Sequence, residues 1–279
     1  MLQLKISRKL PVFIFLIFSN ISFSQTQRYD ETEIDSLTFT NARKALNDLS
    51  TEKFQKEVFK NGTSEIPYRI LLPKDFSTKE KYPLVITFHN SSRIGNDNEN
   101  QLEPLARIWL RDDIYNRFKC FVLAPQFKER SSNYIKNAEG VLISKPSNDV
   151  FSLLDLINKI EKQYTNIDKS RIYLVGYSMG ASTAQNLMSM EPSRFAALIS
   201  IAAVPDFSNI NKIRNKNIWL IHGKKDEDNP YSGSEALFKK LDGDKNLRFT
   251  TYTNLNHNTI TIPFLETDKI PKWLFTKSK

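Results

Sequence analysis

Cysteine and glycine are scarce in this sequence. Cys120 is the only cysteine among 279 residues, so no intramolecular disulfide can form. It lies in the apolar segment 119–124, which predicts a buried strand, and we assign it no chemistry. Glycine occurs only eight times. Two glycines on either side of Ser178 therefore indicate a special backbone requirement at that serine.

Long apolar runs and clustered charge are also missing. The formal net charge is +9, but the lysines are dispersed and form no basic block with interleaved aromatic residues, which argues against nucleic acid as a partner. The apolar run 10–18 is shorter than the roughly 20 residues that span a bilayer. Basic residues before it and the small residues Ser22 and Ser24 before Gln25 predict a secretory signal peptide over residues 1–24. We therefore expect an exported, periplasmic or extracellular protein without a stable membrane anchor after cleavage.

The rest of the chain has the alternating strand and helix pattern of one α/β domain. Residues 25–52 predict a helical N-terminal extension, and two runs separated by Asn61-Gly62 predict an antiparallel hairpin at the start of a domain over 53–279. Short continuous apolar runs then alternate with helical stretches, which predicts a mostly parallel, doubly wound sheet buried on both faces. The predicted strands are 84–88, 120–124, 171–175, 197–201, 218–221 and 248–252, and the predicted helices lie near 101–117, 149–164, 179–190, 232–241 and 262–275. In such sheets, sites form at the carboxyl ends of the strands.

One motif carries most of the chemical information. An apolar strand runs through Gly176-Tyr-Ser178-Met-Gly180 into a helix of small residues. A sharp strand-to-helix turn holds a serine hydroxyl exposed and directs the next backbone N–H toward the same point. The motif predicts Ser178 as a nucleophile and the Met179 amide as an oxyanion donor. The alternative is a glycine-bounded turn with a surface serine.

A serine nucleophile needs a base, and the chain has three histidines. In proteins with this strand–serine–helix turn, the acid and then the histidine follow the serine along the chain. His222 and His257 therefore remain as candidates for the base. His222 ends an apolar strand at a turn that carries acidic residues, so His257, in the loop after the last predicted strand, is the predicted base. His89 precedes the serine and is predicted to be a structural histidine.

The acid and the second oxyanion donor are predicted from their places after strands. Asp226 is the preferred acid because it lies close to the strand end, although Glu227 and Asp228 are adjacent and the turn can also be read as a solvated acidic loop. The acid would orient the imidazole and stabilise its charged form. The second donor is predicted to be the Ser91 backbone N–H, in the loop after strand 84–88.

With these residues assembled, the sequence resembles α/β-hydrolase-fold esterases of the phospholipase/carboxylesterase type. Feruloyl- and acetyl-esterase-like proteins and relatives of prolyl oligopeptidase are also similar. The likeness covers about residues 65–276 and includes Cys120-Phe-Val-Leu-Ala-Pro125-Gln126, the serine motif and His222-Gly223-Lys-Lys-Asp226. The resemblance implies an α/β-hydrolase fold, a Ser178–His257–Asp226 triad, Ser91 and Met179 as oxyanion donors, and no metal or cofactor.

The sequence departs from the family at three glycine positions, and at one of them Ala181, inside a predicted helix, is expected to be harmless. The family usually has glycine where this chain has Asn90, and commonly has glycine near the position of Asn256. Asparagine tolerates positive φ better than other non-glycine residues, so we expect both asparagines to reproduce the glycine conformation. The candidate substrate-binding residues are Asn90, Gln126, Tyr177 and Tyr231.

The expected activity is hydrolysis of a small-molecule or carbohydrate-linked carboxylic ester through an acyl-enzyme. Two alternatives are a serine peptidase of the prolyl-oligopeptidase-like type and a non-catalytic binding module with the same fold. The stretch 127–148 is long for a connection between a strand and a helix, which predicts a lid or a wall of the binding site. Nothing in the sequence predicts the oligomeric state.

Overall fold

A computed structural model describes residues 25–62 and 64–279, so the predicted signal peptide lies outside the described residues. The strands are β1 (Thr26–Asp30), β2 (Phe54–Asn61), β3 (Ser64–Leu71), β4 (Tyr82–Phe88), β5 (Phe121–Pro125), β6 (Ser132–Lys136), β7 (Leu142–Pro146), β8 (Ile167–Tyr177), β9 (Ala197–Ile201), β10 (Asn217–Gly223) and β11 (Leu247–Tyr252). The helices are α1 (Ser36–Asn47), α2 (Pro104–Arg107), α3 (Asp112–Tyr115), α4 (Asn148–Gln163), α5 (Met179–Met190), α6 (Ile210–Ile213), α7 (Tyr231–Lys240), α8 (Ile262–Leu265) and α9 (Lys269–Phe275). Within this part of the chain, no helix is both long and apolar enough to cross a membrane.

Nine strands form one sheet in the order β1-β11-β10-β9-β8-β4-β5-β3-β2. Every pair from β1 to β5 in this order is parallel. The pairs β5–β3 and β3–β2 are antiparallel. The predicted fold class is therefore confirmed: a mostly parallel α/β sheet with the antiparallel hairpin β2–β3 at one edge.

The sheet is buried on both faces, as continuous apolar strands require. All residues of β4, β5 and β9 are buried. Side chains alternate between the faces, so Val85 of β4 joins the core that packs against α1, α8 and α9, whereas Leu84 and Ile86 join the core beneath α4 and α7. This double cover fixes the strands and presents their carboxyl ends at one edge.

The N-terminal region differs from the predicted helical extension. Residues 36–47 form α1, but residues 26–30 form the edge strand β1, which pairs with β11 from Thr26 opposite Arg248 to Asp30 opposite Tyr252. The segment is polar and mostly exposed, as is common at the edge of a sheet, so it lacks the apolar pattern of a central strand. Residues 25–47 are thus part of the domain rather than an appendage.

Two predicted long helices are broken in the structure. Residues 101–117 contain α2, a 3₁₀ turn and α3, and residues 262–275 contain α8 and α9. Arg111, between the 3₁₀ turn and α3, has an extended backbone and donates from Nη1 to the carbonyl oxygens of Leu265 and Thr267. This tertiary contact joins the two broken segments, and local helical periodicity gives no sign of it.

Candidate active site

Ser178 lies in a strained turn between β8 and α5. Its φ is 57° and its ψ is −125°, a conformation that costs a non-glycine residue on the order of 1–3 kcal/mol. A Cβ atom on Gly176 would lie 2.3 Å from the Gly180 carbonyl oxygen, and one on Gly180 would lie 2.3 Å from the Phe88 carbonyl oxygen. The flanking glycines are therefore required by close backbone approach, while the serine itself carries the positive φ.

The structure brings the three predicted catalytic side chains together. His257 Nε2 lies 2.9 Å from Ser178 Oγ, and His257 Nδ1 lies 2.7 Å from Asp226 Oδ2. With its proton on Nδ1, the imidazole donates to the carboxylate and leaves Nε2 free to accept from the serine hydroxyl. This arrangement can activate the hydroxyl as a nucleophile.

Asp226 is held as a carboxylate by several donors. Its Oδ1 accepts from the backbone N–H groups of Asp228 and Asn229, at 3.0 and 2.8 Å. Burial raises the pKa of Asp226, but hydrogen bonds from His222, His257 and Asn229 outweigh it and hold that pKa well below the usual 3.8. The acid is consequently ionised at neutral pH and oriented toward His257.

His222 is a site residue that the sequence reasoning missed. Its side chain is fully buried, and Nε2 lies 3.1 Å from Asp226 Oδ2 and 3.0 Å from the Asn229 carbonyl oxygen. Both neighbours are acceptors, so Nε2 carries a proton, while Nδ1 lies 2.7 Å from Ser234 Oγ, which can donate to it. His222 is therefore a second imidazole donor to the acid. The sequence feature that could have indicated this role is the position of His222 at a strand end, four residues before the predicted acid.

The two predicted oxyanion amides are both free of protein acceptors within the described residues. Met179 is the first residue of α5, and Ser91 begins the 3₁₀ turn Ser91–Arg93 beside the cleft. Neither backbone N–H donates a hydrogen bond to another residue of that part of the chain. The oxyanion role of these amides stays a prediction.

The expectation that Asn90 and Asn256 adopt the glycine conformation is wrong. Asn90 has φ −77° and ψ 175°, and Asn256 is not among the described residues with positive φ. Asn90 Oδ1 instead accepts from Ser92 N at 2.8 Å and caps the 3₁₀ turn. Asn256 Oδ1 accepts from the N–H groups of Asn258 and Thr259, each at 3.1 Å. Both asparagines thus shape their loops through side-chain acceptors.

His89 holds the loop after β4, as predicted for a structural histidine. Its Nδ1 lies 2.8 Å from the Asn90 carbonyl oxygen, and its Nε2 accepts from Phe127 N at 3.1 Å. Burial lowers the pKa of His89 to about 4, so the ring is neutral at physiological pH. The neutral ring donates through Nδ1 and accepts through Nε2.

Two of the four candidate substrate-binding residues line the cleft, namely Asn90 and Tyr177. The Tyr177 hydroxyl donates to the His257 carbonyl oxygen at 2.8 Å, and the two rings lie 5.0 Å apart. Tyr177 therefore also supports the loop that carries the predicted base.

The other two candidates do not reach the cleft, and their assignment to substrate binding is wrong. Gln126 is fully buried, where Oε1 accepts from Asn98 N at 2.7 Å and holds the loop after β4. Tyr231 bonds Thr251 Oγ1 at 3.0 Å and stacks on Phe249 near the β1 edge of the sheet. Neighbouring motifs along the chain do not show which way a side chain points.

A cleft of about 570 Å³ opens above Ser178. Its lining residues are mostly polar: Asn90, Ser91, Ser92, Arg130, Asn133, Tyr134, Tyr177, Ser178, Asp228, Asn229, His257 and Asn258. The long 127–148 stretch forms the hairpin β6–β7 and contributes three of them, in agreement with the predicted wall. The hairpin is tied to α5 by Tyr134 Oη to Ser182 Oγ at 3.2 Å and by Ser132 Oγ to Asn186 Oδ1 at 2.9 Å.

One group of possible metal ligands overlaps the triad. Among the described residues, Asp226, Asp228 and His257 place ligand atoms within 4.8 Å of one another. Asp226 and His257 already bond each other, and His257 also bonds Ser178. These hydrogen bonds account for the placement of the Asp226 and His257 side chains.

A family model described as the alpha/beta hydrolase fold matches residues 130–227, which include Ser178 and Asp226. The sheet order, the strained serine turn and this family match all indicate the same fold. The chain has the α/β-hydrolase fold. No curated protein matches the sequence of this α/β-hydrolase-fold protein.

Solved structures of esterases and peptidases share the fold. A thermostable esterase is 31% identical with a TM-score of 0.73; the alignment covers 82% of this chain and 64% of that one. A feruloyl esterase module from Clostridium thermocellum, complexed with sinapinate, is 12% identical with a TM-score of 0.60, covering 89% and 94%. Porphyromonas gingivalis dipeptidyl peptidase 4 is 14% identical with a TM-score of 0.58, covering 80% and 35%. The chain thus spans just under two thirds of the thermostable esterase and about a third of the peptidase.

We expect replacement of His222 to weaken the site through Asp226. A hydrogen bond to a charged group contributes about 1.5–3 kcal/mol, so His222→Leu should lower kcat/KM for p-nitrophenyl acetate by roughly 10- to 100-fold. His222→Gln keeps an N–H near the Nε2 position and should retain more activity. Thermal unfolding of both variants checks that each is folded. Wild-type kcat/KM in a folded His222→Leu variant would contradict the role of His222.

Proposed function

We propose that this protein is a serine hydrolase that cleaves carboxylic esters. The observation that carries the proposal is the continuous hydrogen-bonded chain from Ser178 through His257 to Asp226, with distances of 2.9 and 2.7 Å. Its similarity to a thermostable esterase at 31% identity supports ester substrates. The peptidase similarity lies at 14% identity and shows the shared fold alone.

The geometry suits acyl transfer to water. Ser178 Oγ attacks the ester carbonyl carbon while His257 Nε2 takes the hydroxyl proton, and Asp226 stabilises the imidazolium that forms. The N–H groups of Met179 and Ser91 would bind the oxyanion. His257 then gives its proton to the leaving alkoxide, which departs as the alcohol. Water repeats the attack on the acyl-enzyme, releases the acid and restores the serine hydroxyl.

Loss of the nucleophile tests this function directly. Ser178→Ala should abolish labelling by a fluorophosphonate probe and lower kcat for p-nitrophenyl acetate by about 10⁴-fold or more, since no other side chain replaces the attacking oxygen. Ser170→Ala, at an exposed serine away from the site, is the matched control and should behave as wild type. A peptide p-nitroanilide should be cleaved far more slowly than the ester. Labelling of folded Ser178→Ala, or a preference for the anilide, would overturn the proposal.

We further propose that the ester is attached to a carbohydrate. Asn133 and Asn258 line the cleft, and their side-chain amides have no hydrogen-bond partner among the residues that the structure describes. Free amides at the wall of a polar cleft suit the hydroxyl groups of a sugar, which both donate and accept. At 12% identity, the feruloyl esterase module complexed with sinapinate shows the shared fold alone.

This substrate class predicts a difference between two esters. Asn133→Ala and Asn258→Ala should raise KM for an acetylated xylo-oligosaccharide severalfold, because each removes donors and an acceptor for sugar hydroxyls. Neither should change KM for p-nitrophenyl acetate, which has no sugar. Equal effects on both esters, or no hydrolysis of the acetylated oligosaccharide by the wild type, would argue against the carbohydrate.

We also propose that the protein is exported and loses residues 1–24. The proposal rests on the basic residues Lys5, Arg8 and Lys9, the apolar run 10–18 and the small residues before Gln25. Expression of the full chain in a bacterium, followed by fractionation and N-terminal sequencing, should find a periplasmic or secreted form that begins at Gln25. A cytoplasmic protein with its first residues intact would contradict the export.

A further inference from the structure

Glu103 is a buried carboxyl group directly behind the loop that follows β4. Its Oε1 accepts from the Asn90 backbone N–H at 3.2 Å, and its Oε2 accepts from Asn90 Nδ2 at 2.9 Å. The residue is only 6% exposed. Burial raises the pKa of Glu103 to about 7, against the opposing effects of Arg93 and of the Asn90 hydrogen bond. A carboxyl group is costly to bury, and here both of its oxygens are used on one residue.

The position of Glu103 before α2 suggests that its side chain caps this helix, but the structure shows no such contact. Glu103 immediately precedes α2, and a negative charge at the N-terminus of a helix interacts favourably with the helix dipole. The side chain makes no capping hydrogen bond to α2. It turns instead toward Asn90, which lies thirteen residues earlier in the chain.

Because Asn90 is held in place, the backbone of the next residue, Ser91, is held as well. The Asn90 carbonyl oxygen faces His89 Nδ1 at 2.8 Å, while Asn90 Oδ1 accepts from Ser92 N at 2.8 Å. The Asn90 carbonyl and the Ser91 N–H belong to one planar peptide unit, so fixing the carbonyl fixes the direction of the N–H. Every polar group of Asn90 is thus engaged, and the Ser91 N–H has no acceptor in the described part of the chain.

We infer that Glu103 is a positioning residue for the oxyanion site: by holding Asn90 at its backbone and its side chain, it directs the Ser91 N–H toward the reacting carbonyl. The inference rests on the proposed function, because an oxyanion forms only if Ser178 attacks an acyl group. Glu103 itself lines no part of the cleft and touches no reacting atom. An amide that is aimed in advance stabilises the transition state more than the bound ester, so the effect belongs in kcat.

Two single variants and their combination test the inference. Glu103→Gln keeps the shape but turns one acceptor into a donor that faces the donors of Asn90, and Asn90→Ala removes the side-chain contact. Each should lower kcat for p-nitrophenyl acetate by roughly 10- to 100-fold and leave KM within about threefold, since loss of one oxyanion donor costs 10²–10³-fold. Affinity for a trifluoromethyl ketone, which forms an oxyanion on Ser178, should fall in parallel. Glu80→Gln, at an exposed position, is the control.

The double variant separates positioning from general destabilisation. If Glu103 acts through Asn90, the double variant should be no slower than the slower single variant, whereas independent effects would multiply. Thermal unfolding checks each protein, and Asn90→Ala decides the question if Glu103→Gln does not fold. Unchanged kcat and ketone affinity in the folded variants, a change in KM alone, or multiplied effects would overturn the inference. If the wild type neither hydrolyses esters nor reacts with the phosphonate probe, the proposed function is wrong and this inference is wrong with it. If the wild type is active and the variants are unaffected, only the inference is wrong.

Discussion

The site depends on backbone segments that approach more closely than any side chain would allow. At Gly180, an added Cβ would lie 2.3 Å from the Phe88 carbonyl oxygen and 2.7 Å from that of His89. The start of α5 therefore lies directly against the end of β4. Because of this contact, the loop with Ser91 lies beside the strained turn that holds Ser178. A larger residue at 180 would separate the two amides that the proposed mechanism assigns to one oxyanion.

A similar contact joins the turn that carries Asp226 to the loop that carries His257. A Cβ on Gly223, at the end of β10, would lie 2.2 Å from the Leu255 carbonyl oxygen. In the same region Lys224 N donates to the Tyr252 carbonyl oxygen at 2.8 Å, and Lys225 N donates to that of Leu255 at 3.1 Å. The turn with Asp226 and the loop with His257 are thus tied together through their backbones. Three of the eight glycines, at positions 176, 180 and 223, thus lie where a Cβ atom would clash with a neighbouring backbone segment.

Buried polar groups complete the arrangement by supporting the reacting side chains from behind. His222 donates to the acid, Tyr177 donates to the backbone of His257, and Glu103 accepts from Asn90. The three supporting residues His222, Tyr177 and Glu103 are themselves buried, and a hydrogen bond in buried surroundings is stronger than the same bond in water. The hairpin β6–β7 is held in the same way, because α5 supplies Ser182 and Asn186 as its partners. The helix that begins after Ser178 consequently also fixes one wall of the cleft.

The sequence alone determined the fold class, and it predicted the three side chains of Ser178, His257 and Asp226, which the structure places within hydrogen-bond distance of one another. Buried parallel strands are continuous apolar runs, and the serine turn is a local structure whose residues are adjacent in the chain, so both leave local patterns. The tertiary structure decided the rest. It showed that Gln126 and Tyr231 point away from the cleft and that Asn90 and Asn256 act through their side chains. It also showed that the side chain of His222 turns toward Asp226 and that of Glu103 toward Asn90. These properties depend on side-chain direction and on contacts between distant segments, and only packing in three dimensions sets them.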